Sequence, residues 1–165
     1  NGHSNVPQGY EIRGYGGYKS KAAGTDSSSS AWVADLSGGN PYIVKSVFFC
    51  ESAFDAMAFY QVNRAQLGTD IALVSLGGTF SDRQITGVME RFPDARAYDC
   101  FDNDLAGRIY GLRMMALLEG IPMKINKRDN ILSVEAKGKT FELNPEHKEE
   151  REENLAGRRS AGLKI

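Results

Sequence analysis

The spacing of apolar residues changes character at Ser46. Before it, residues 1–45 are rich in Gly, Tyr and Ser, and only YEIRG and AWVAD alternate like half-buried strands, with the low-complexity loop GTDSSSS between them. This stretch reads as a small β-rich lead-in or linker. After it, short apolar runs alternate with segments of helical period, the signal of a mostly parallel sheet covered by helices on both faces. SVFFC predicts a strand, and SAFDAMAFYQVNRAQLG a helix with Ser52 and Asp55 as a capping box and Gly68 as its stop. IALVSLGG predicts a second strand ending in a glycine turn, and SDRQITGVMERF a second helix with Ser81 at the cap and Gln84 three residues on. ARAYDCF predicts a third strand, and DLAGRIYGLRMMALLEG a third helix whose acidic start suits the helix dipole.

Beyond Gly120 the pattern changes again. IPMKINKRDN and ILSVEAKGKTFEL alternate apolar and polar residues around an Asp-Asn turn and predict an antiparallel hairpin. NPEHKEEREENLAGRR predicts a charge-rich helix or flexible segment, and SAGLKI the start of a last strand. The fold class is therefore α/β. Residues 46–165 are expected to form a Rossmann-like domain with a central, mostly parallel sheet flanked by helices, preceded by a β-rich N-terminal appendage and carrying a C-terminal β-hairpin insertion.

Composition narrows the picture. The 165 residues are 41% hydrophobic, enough for one core, and a chain of this size buries roughly 70% of its unfolded surface. Apolar stretches such as IALVSL fall far short of the roughly 20 residues needed to cross a bilayer. The chain opens on Asn1 with no basic segment followed by an apolar run, so a cytoplasmic fragment or processed product without membrane contact is expected. Cys50 and Cys100 each end an apolar run with no further Cys or His at ligand spacing, and read as buried reduced thiols. Twenty Lys and Arg against 21 Asp and Glu give a formal net charge of -1, so attraction to nucleic acid must come from a local patch or a metal. One such patch is legible: Tyr10, Tyr15 and Tyr18 interleave with Arg13, Lys19 and Lys21, either as a face that stacks bases and contacts phosphates or as ordinary strand aromatics.

Ligands of open parallel sheets bind outside the carboxyl ends of the strands. Glu51 directly follows the first strand, Gly77 and Gly78 follow the second, and Asp102, Asn103 and Asp104 follow the third. Topology thus gathers acidic side chains at one edge. Two carboxylates about 4 Å apart repel by roughly 4 kcal/mol at an effective dielectric near 20, and a divalent cation reverses that sign. Mg²⁺ prefers hard oxygen ligands and keeps waters and phosphate oxygens in its shell, which suits two or three carboxylates. Asp55 stands where a capping box wants an acid, and Asn103 or Asp104 is a good N-cap, so each of these has a structural reading beside ligation. Glu51 has none, because it ends a buried strand, where an unpaired carboxylate is costly.

CESAFDAMAF, LVSLGG and YDCFDNDLAGR, in that order, closely resemble the signatures of the Toprim family. The resemblance covers roughly residues 46–120 and matches a Glu after the first strand with an Asp four positions on, here Glu51 and Asp55. It also matches a DxD ahead of a helix-opening Ala-Gly, here Asp102 and Asp104 before Ala106 and Gly107. Phosphatases of the haloacid-dehalogenase type and response-regulator receivers also use acidic pockets, but the residues after the DxD and the order of acidic clusters differ here. The resemblance implies a Mg²⁺ site, with Mn²⁺ as a substitute, serving nucleotidyl or phosphodiester transfer on DNA, single-stranded or primer-template, with nucleotides as further ligands. Glu51 would be a general acid, base or ligand, and Asp102 and Asp104, with Asp55, would hold metal. Gly77, Gly78 and Arg108 would contact phosphate, unless Arg108 is a surface residue of the first helical turn. The overall look is similar to primase-like Toprim proteins of plasmids and conjugative elements, joined to other domains of a longer polypeptide. A Toprim nuclease, or a catalytically weak fold that binds nucleic acid or protein, remains an alternative. The family's further acid, often in a Gly-Lys-Asp context, is missing at Gly138, Lys139 and Thr140, and Glu142 lies two positions late. The expected reading is an inserted hairpin, with the completing loop beyond Ile165.

Overall fold

The computed structural model describes residues 7–128 and 131–143. The chain divides into two compact units, Asn1–Asp102 and Asn103–Ile165. In the first, β1 (Glu11–Arg13) and β2 (Lys19–Lys21) pair as an antiparallel ribbon. A four-stranded sheet is formed by β3 (Trp32–Asp35), β4 (Ser46–Cys50), β5 (Ile71–Ser75) and β6 (Arg96–Asp99) in the order β3-β5-β4-β6. β4 runs parallel to both β5 and β6. Its residues Val47–Cys50 and all of β5 are buried without alternation, as expected of central strands covered on both faces. The ring of Phe48 lies 4.9 Å from Phe59 and 5.1 Å from Tyr98, joining β4 to the helix above it and to β6.

The N-terminal stretch contributes to this sheet. β3 pairs antiparallel with β5, Trp32 opposite Ser75 and Asp35 opposite Ala72, so the AWVAD segment is its edge strand. The sheet is therefore mixed rather than wholly parallel.

The helices follow their caps. α1 (Ala53–Asn63) begins at Ser52, whose hydroxyl accepts from the Asp55 amide at 3.3 Å and donates to the Asp55 carboxylate at 2.5 Å. It ends at Asn63 rather than running on to Gly68. The Asn63 side-chain amide donates to the Phe59 carbonyl, and the amides of Gln66 and Leu67 turn back onto the Asn63 carbonyl, so the helix end is closed before the glycine is reached. α2 (Asp82–Arg91) carries the expected capping box in full between Ser81 and Gln84. Gln84 is buried and also donates to the carbonyls of Ser30 at 2.8 Å and Leu76 at 3.3 Å. The serine run is thus organised structure. Asp26 accepts from the Ser28 and Ser29 amides and hydroxyls, and those bonds, the Ser29 hydroxyl first, hold its carboxyl well below the usual carboxylate range. The turn so formed presents the Ser30 carbonyl to Gln84.

In the second unit, α3 (Leu105–Leu118) starts from Asp104, whose carboxylate accepts from the Gly107 amide at 2.8 Å. Its first turn holds no acid; the acidic start expected from sequence is the cap itself. The predicted hairpin is a three-stranded antiparallel sheet, β7 (Met123–Arg128), β8 (Ile131–Ala136) and β9 (Lys139–Leu143) in that order. The extra turn is at Lys137 and Gly138, whose φ values of 52° and 70° match the two left-handed positions of a tight hairpin turn. Leu132 and Val134 of β8 and Met114 of α3 are buried, and α3 packs against β7. The Asp129-Asn130 turn, the charged NPEHKEEREENLAGRR segment and SAGLKI lie outside the described residues.

Gln84 links the helix cap, the strand end and the serine turn, so replacing it by Ala leaves the carbonyls of Ser30 and Leu76 without this donor and opens the capping box. Gln84→Ala should lower unfolding stability by about 2–3 kcal/mol, read from urea denaturation. A loss under about 0.5 kcal/mol would show that the serine turn closes without it.

Candidate functional site

Parallel pairing sets the carboxyl ends of β4, β5 and β6 side by side, and short bonds lock the residues that follow. The Gly78 amide donates to the Glu51 carbonyl at 2.9 Å, and the Asp102 amide donates to Glu51 Oε1 at 3.3 Å. Half-buried Glu51 is thus held between the loop after β5 and the segment after β6. Glu51, Asp55 and Asp102 line one cavity of about 660 Å³, with Gly77 and Gly78 in its wall. Asp55 both caps α1 and faces this cavity, so the two readings of that residue hold together.

The glycine turn shapes the wall. The Gly77 amide donates to Ser75 Oγ at 3.3 Å and the Gly78 amide to Glu51, so both N–H groups are engaged within the fold. Gly77 has φ +70°, and a Cβ there would lie 2.7 Å from Lys21 Cε and 3.1 Å from Glu11 Oε1. The backbone conformation favours glycine, and the side chains of Lys21 and Glu11, approaching from the ribbon, take up the space above it.

That approach brings in residues from far upstream. Opposite pairs in the ribbon are Glu11 with Lys21 and Arg13 with Lys19, and residues two apart on a strand share a face. All four line the cavity. Glu11 Oε1 accepts from Ser75 Oγ at 2.9 Å, and its other oxygen meets Arg13 Nη2 at 3.2 Å. The Arg13 guanidinium also sits 5.8 Å from the centroid of the Phe54 ring at the start of α1. Of the two readings of the tyrosines and cations, one shared face or ordinary strand aromatics, the shared face does not form at this cavity. None of Tyr10, Tyr15 and Tyr18 lines the cavity, and all three are exposed. Glu11 was missed as a site residue; its only sequence signal was the spacing of Glu11 and Arg13 in GYEIRG.

Cys50 and Cys100 are free, the first buried and the second half-buried. A hydrogen bond with Cys100, together with burial, pushes the Cys50 thiol far above its usual range. The burial of Cys50 and the direction of this shift agree with its reading as a reduced core thiol. Asp104 and Arg108 belong to the second unit. There Asp104 caps α3, and Arg108 Nη2 reaches Asn103 Oδ1 at 3.5 Å while its buried Nε has no acceptor among the described residues.

Among the described residues no group of three or more acidic, Cys or His side chains is placed to hold a metal ion. A caged structural ion of the zinc type does not fit such a donor set. Carboxylates spread around an open polar cavity do fit a hydrated hard cation, because Mg²⁺ and Mn²⁺ sites are commonly held by one or two carboxylates and completed by water or phosphate.

Residues 48–139 match the family model described as Toprim-like. No curated protein and no solved structure matches the chain. No helix among the described residues is long and apolar enough to cross a membrane.

Because Gly77 stands at φ +70°, Gly77→Ala should cost about 1–2 kcal/mol from backbone strain. The crowding atoms are the flexible tips of Lys21 and Glu11, which can swing aside. Pairing the change with Lys21→Ala should therefore be additive within about 0.5 kcal/mol in a denaturation cycle. A coupling well above that would show Lys21 to be fixed in place.

Proposed function

This chain belongs to the Toprim-like family, and on that premise we propose that it is a Mg²⁺-dependent module for nucleotidyl or phosphodiester transfer on DNA, part of a primase or of a mobile-element replication or mobilisation protein. Toprim domains are metal-binding modules of nucleic-acid processing. The finer assignment rests on one observation: Glu51, Asp55 and Asp102 line a single polar cavity at the carboxyl ends of the strands, where ligands of open α/β sheets bind.

In this reading Glu51, Asp55 and Asp102 hold the ion; the family resemblance gives Asp104 the same role, and the metal response of its Asn variant tests that. When bound, Mg²⁺ supplies neutralisation of charge on a phosphoryl oxygen and orientation of the leaving group. Glu51 is fixed at the cavity wall by the Asp102 amide and serves as the general base that takes a proton from an attacking hydroxyl, or as a ligand. Arg108 of the second unit contacts phosphate through its guanidinium, whose Nε has no acceptor among the described residues. Gly77 and Gly78 contribute the shape of the wall, Gly77 giving room to the Lys21 side chain and Gly78 leaving space open to substrate.

The lack of a close three-ligand group among the described residues favours a second reading, a catalytically weak fold that binds nucleic acid or protein. The two separate on Glu51→Gln. Metal-dependent primer synthesis, nicking or relaxation that disappears in this variant supports the enzyme, whereas DNA binding unaffected by it, with no such activity in the parent, supports the binding module.

Ion binding has its own readout. Millimolar Mg²⁺ or Mn²⁺ should raise the melting temperature, since an ion that binds only the folded state stabilises it by about 2.7 kcal/mol at 100 times its Kd. Asp102→Asn combined with Asp104→Asn should abolish that rise and increase metal-free stability by relieving repulsion. An unchanged metal response in the double variant would remove these residues from the site.

A further inference from the structure

We propose that the inward face of the N-terminal ribbon is the anion half of the cavity, with Arg13, Lys19 and Lys21 binding the phosphate of a ligand whose divalent ion is held by the carboxylates opposite. The identity of that ion rests on the function proposed above; the ribbon's role as a phosphate site stands on its own observations.

The first is placement. The register Glu11 with Lys21 and Arg13 with Lys19 puts three cations on the ribbon face that lines the cavity. The second is that this charge is incompletely used. Among the described residues Lys19 and Lys21 are paired with no carboxylate, and Arg13 Nε is buried without an acceptor although Nη2 reaches Glu11. A buried guanidinium N–H without a partner costs free energy unless a ligand supplies one, and phosphate oxygens match the guanidinium fork. The third is preparation of the wall. Glu11, held by the Ser75 hydroxyl, positions Arg13, and Gly77 leaves the space that Lys21 fills.

Charge sets the order of events. Arg13, Lys19 and Lys21 share the cavity with Glu11 of their own ribbon and with Glu51, Asp55 and Asp102, so its acids outnumber its cations by one until a divalent ion reverses the sign. Phosphate and ion therefore bind with positive coupling, each raising the affinity for the other by the same factor. Removing ribbon cations should weaken phosphate binding while tightening the ion alone, because the emptied face leaves the carboxylates uncompensated. Structural damage would weaken both.

The test uses the whole 165-residue chain. Inorganic pyrophosphate is titrated by calorimetry with and without Mg²⁺, a nucleoside triphosphate and a fluorescently labelled single-stranded deoxyoligonucleotide are titrated in parallel, and Mg²⁺ alone is followed by melting temperature. Arg13→Ala with Lys19→Ala and Lys21→Ala should lower pyrophosphate affinity by about tenfold or more, the scale of a lost charge-assisted hydrogen bond, while the Mg²⁺ response is kept or enhanced. Lys19→Ala alone, at an exposed position, should show the same direction with a smaller change and guards against misfolding of the triple variant. The triphosphate and oligonucleotide arms identify the source of the phosphate by which of the two loses affinity with pyrophosphate. Phosphate affinity unchanged in Lys19→Ala and in the triple variant would overturn the assignment, as would a parallel loss of phosphate and Mg²⁺ binding in Lys19→Ala. If the parent shows no Mg²⁺ response yet loses phosphate binding with the ribbon cations, the metal reading falls and the ribbon site stands.

Discussion

The parallel register of β4 between β5 and β6 is the constraint on which the site depends. It sets Cys50 opposite Ser75 and Phe49 opposite Asp99, so the residues that leave the three strands emerge at one level. The backbone then closes the arrangement, with the Gly78 and Asp102 amides both donating to Glu51. A carboxylate that accepts a backbone N–H from a neighbouring segment is fixed in place without the long, mobile partner that a surface ion pair would require. The hydrophobic run Val47–Phe49 supplies the rigidity. Its side chains are at most 3% exposed, and a slip of one residue would turn each of them to the other face of the sheet.

The same contrast between local pattern and distant pairing decides what could be read from the chain. SVFFC and IALVS were legible because central parallel strands are continuous apolar runs, and the Ser81 and Gln84 capping box because its parts lie three residues apart. That Glu51, Asp55 and Asp102 come together at one cavity was legible by the same logic, each standing at a strand end or helix start. What the pattern does not carry is register between remote segments. That AWVAD adds an antiparallel edge beside β5, and that GYEIRG folds over the glycine turn, are settled by contacts more than 30 residues apart along the chain. The Lys137-Gly138 turn escaped notice because lysine is an unusual occupant of a left-handed position. Gly68 misled for the opposite reason, since Asn63 had already satisfied the helix end.

The split of the ribbon shows why composition alone gives an incomplete account of a binding surface. Interleaved tyrosines and cations suggested one face, yet the two-residue period of a strand sends Arg13 inward and Ile12 outward. The consequence is a division of labour: the inward face carries charge, and the outward one carries exposed apolar surface at Tyr10, Ile12 and Tyr18. Function on the inward face follows from what it opposes.

Opposed charge also explains how such a cavity exists before any ligand arrives. Carboxylates brought to one edge repel, and part-buried groups are screened by salt less than surface ones. Arg13, Lys19 and Lys21 offset that repulsion in the folded chain. They do so from long side chains on a short two-stranded ribbon, a unit that has little stability by itself and is held by Glu11 to Ser75, by Arg13 over Phe54 and by the opening above Gly77. The compensation is therefore adjustable. Because Lys19 and Lys21 form no ion pair among the described residues, the phosphate site proposed above needs no bond within the fold to be broken. On this view the ribbon and the Toprim core form one electrostatic unit, in which the upstream segment supplies a local positive charge that the near-zero net charge of the whole protein, -1, does not provide.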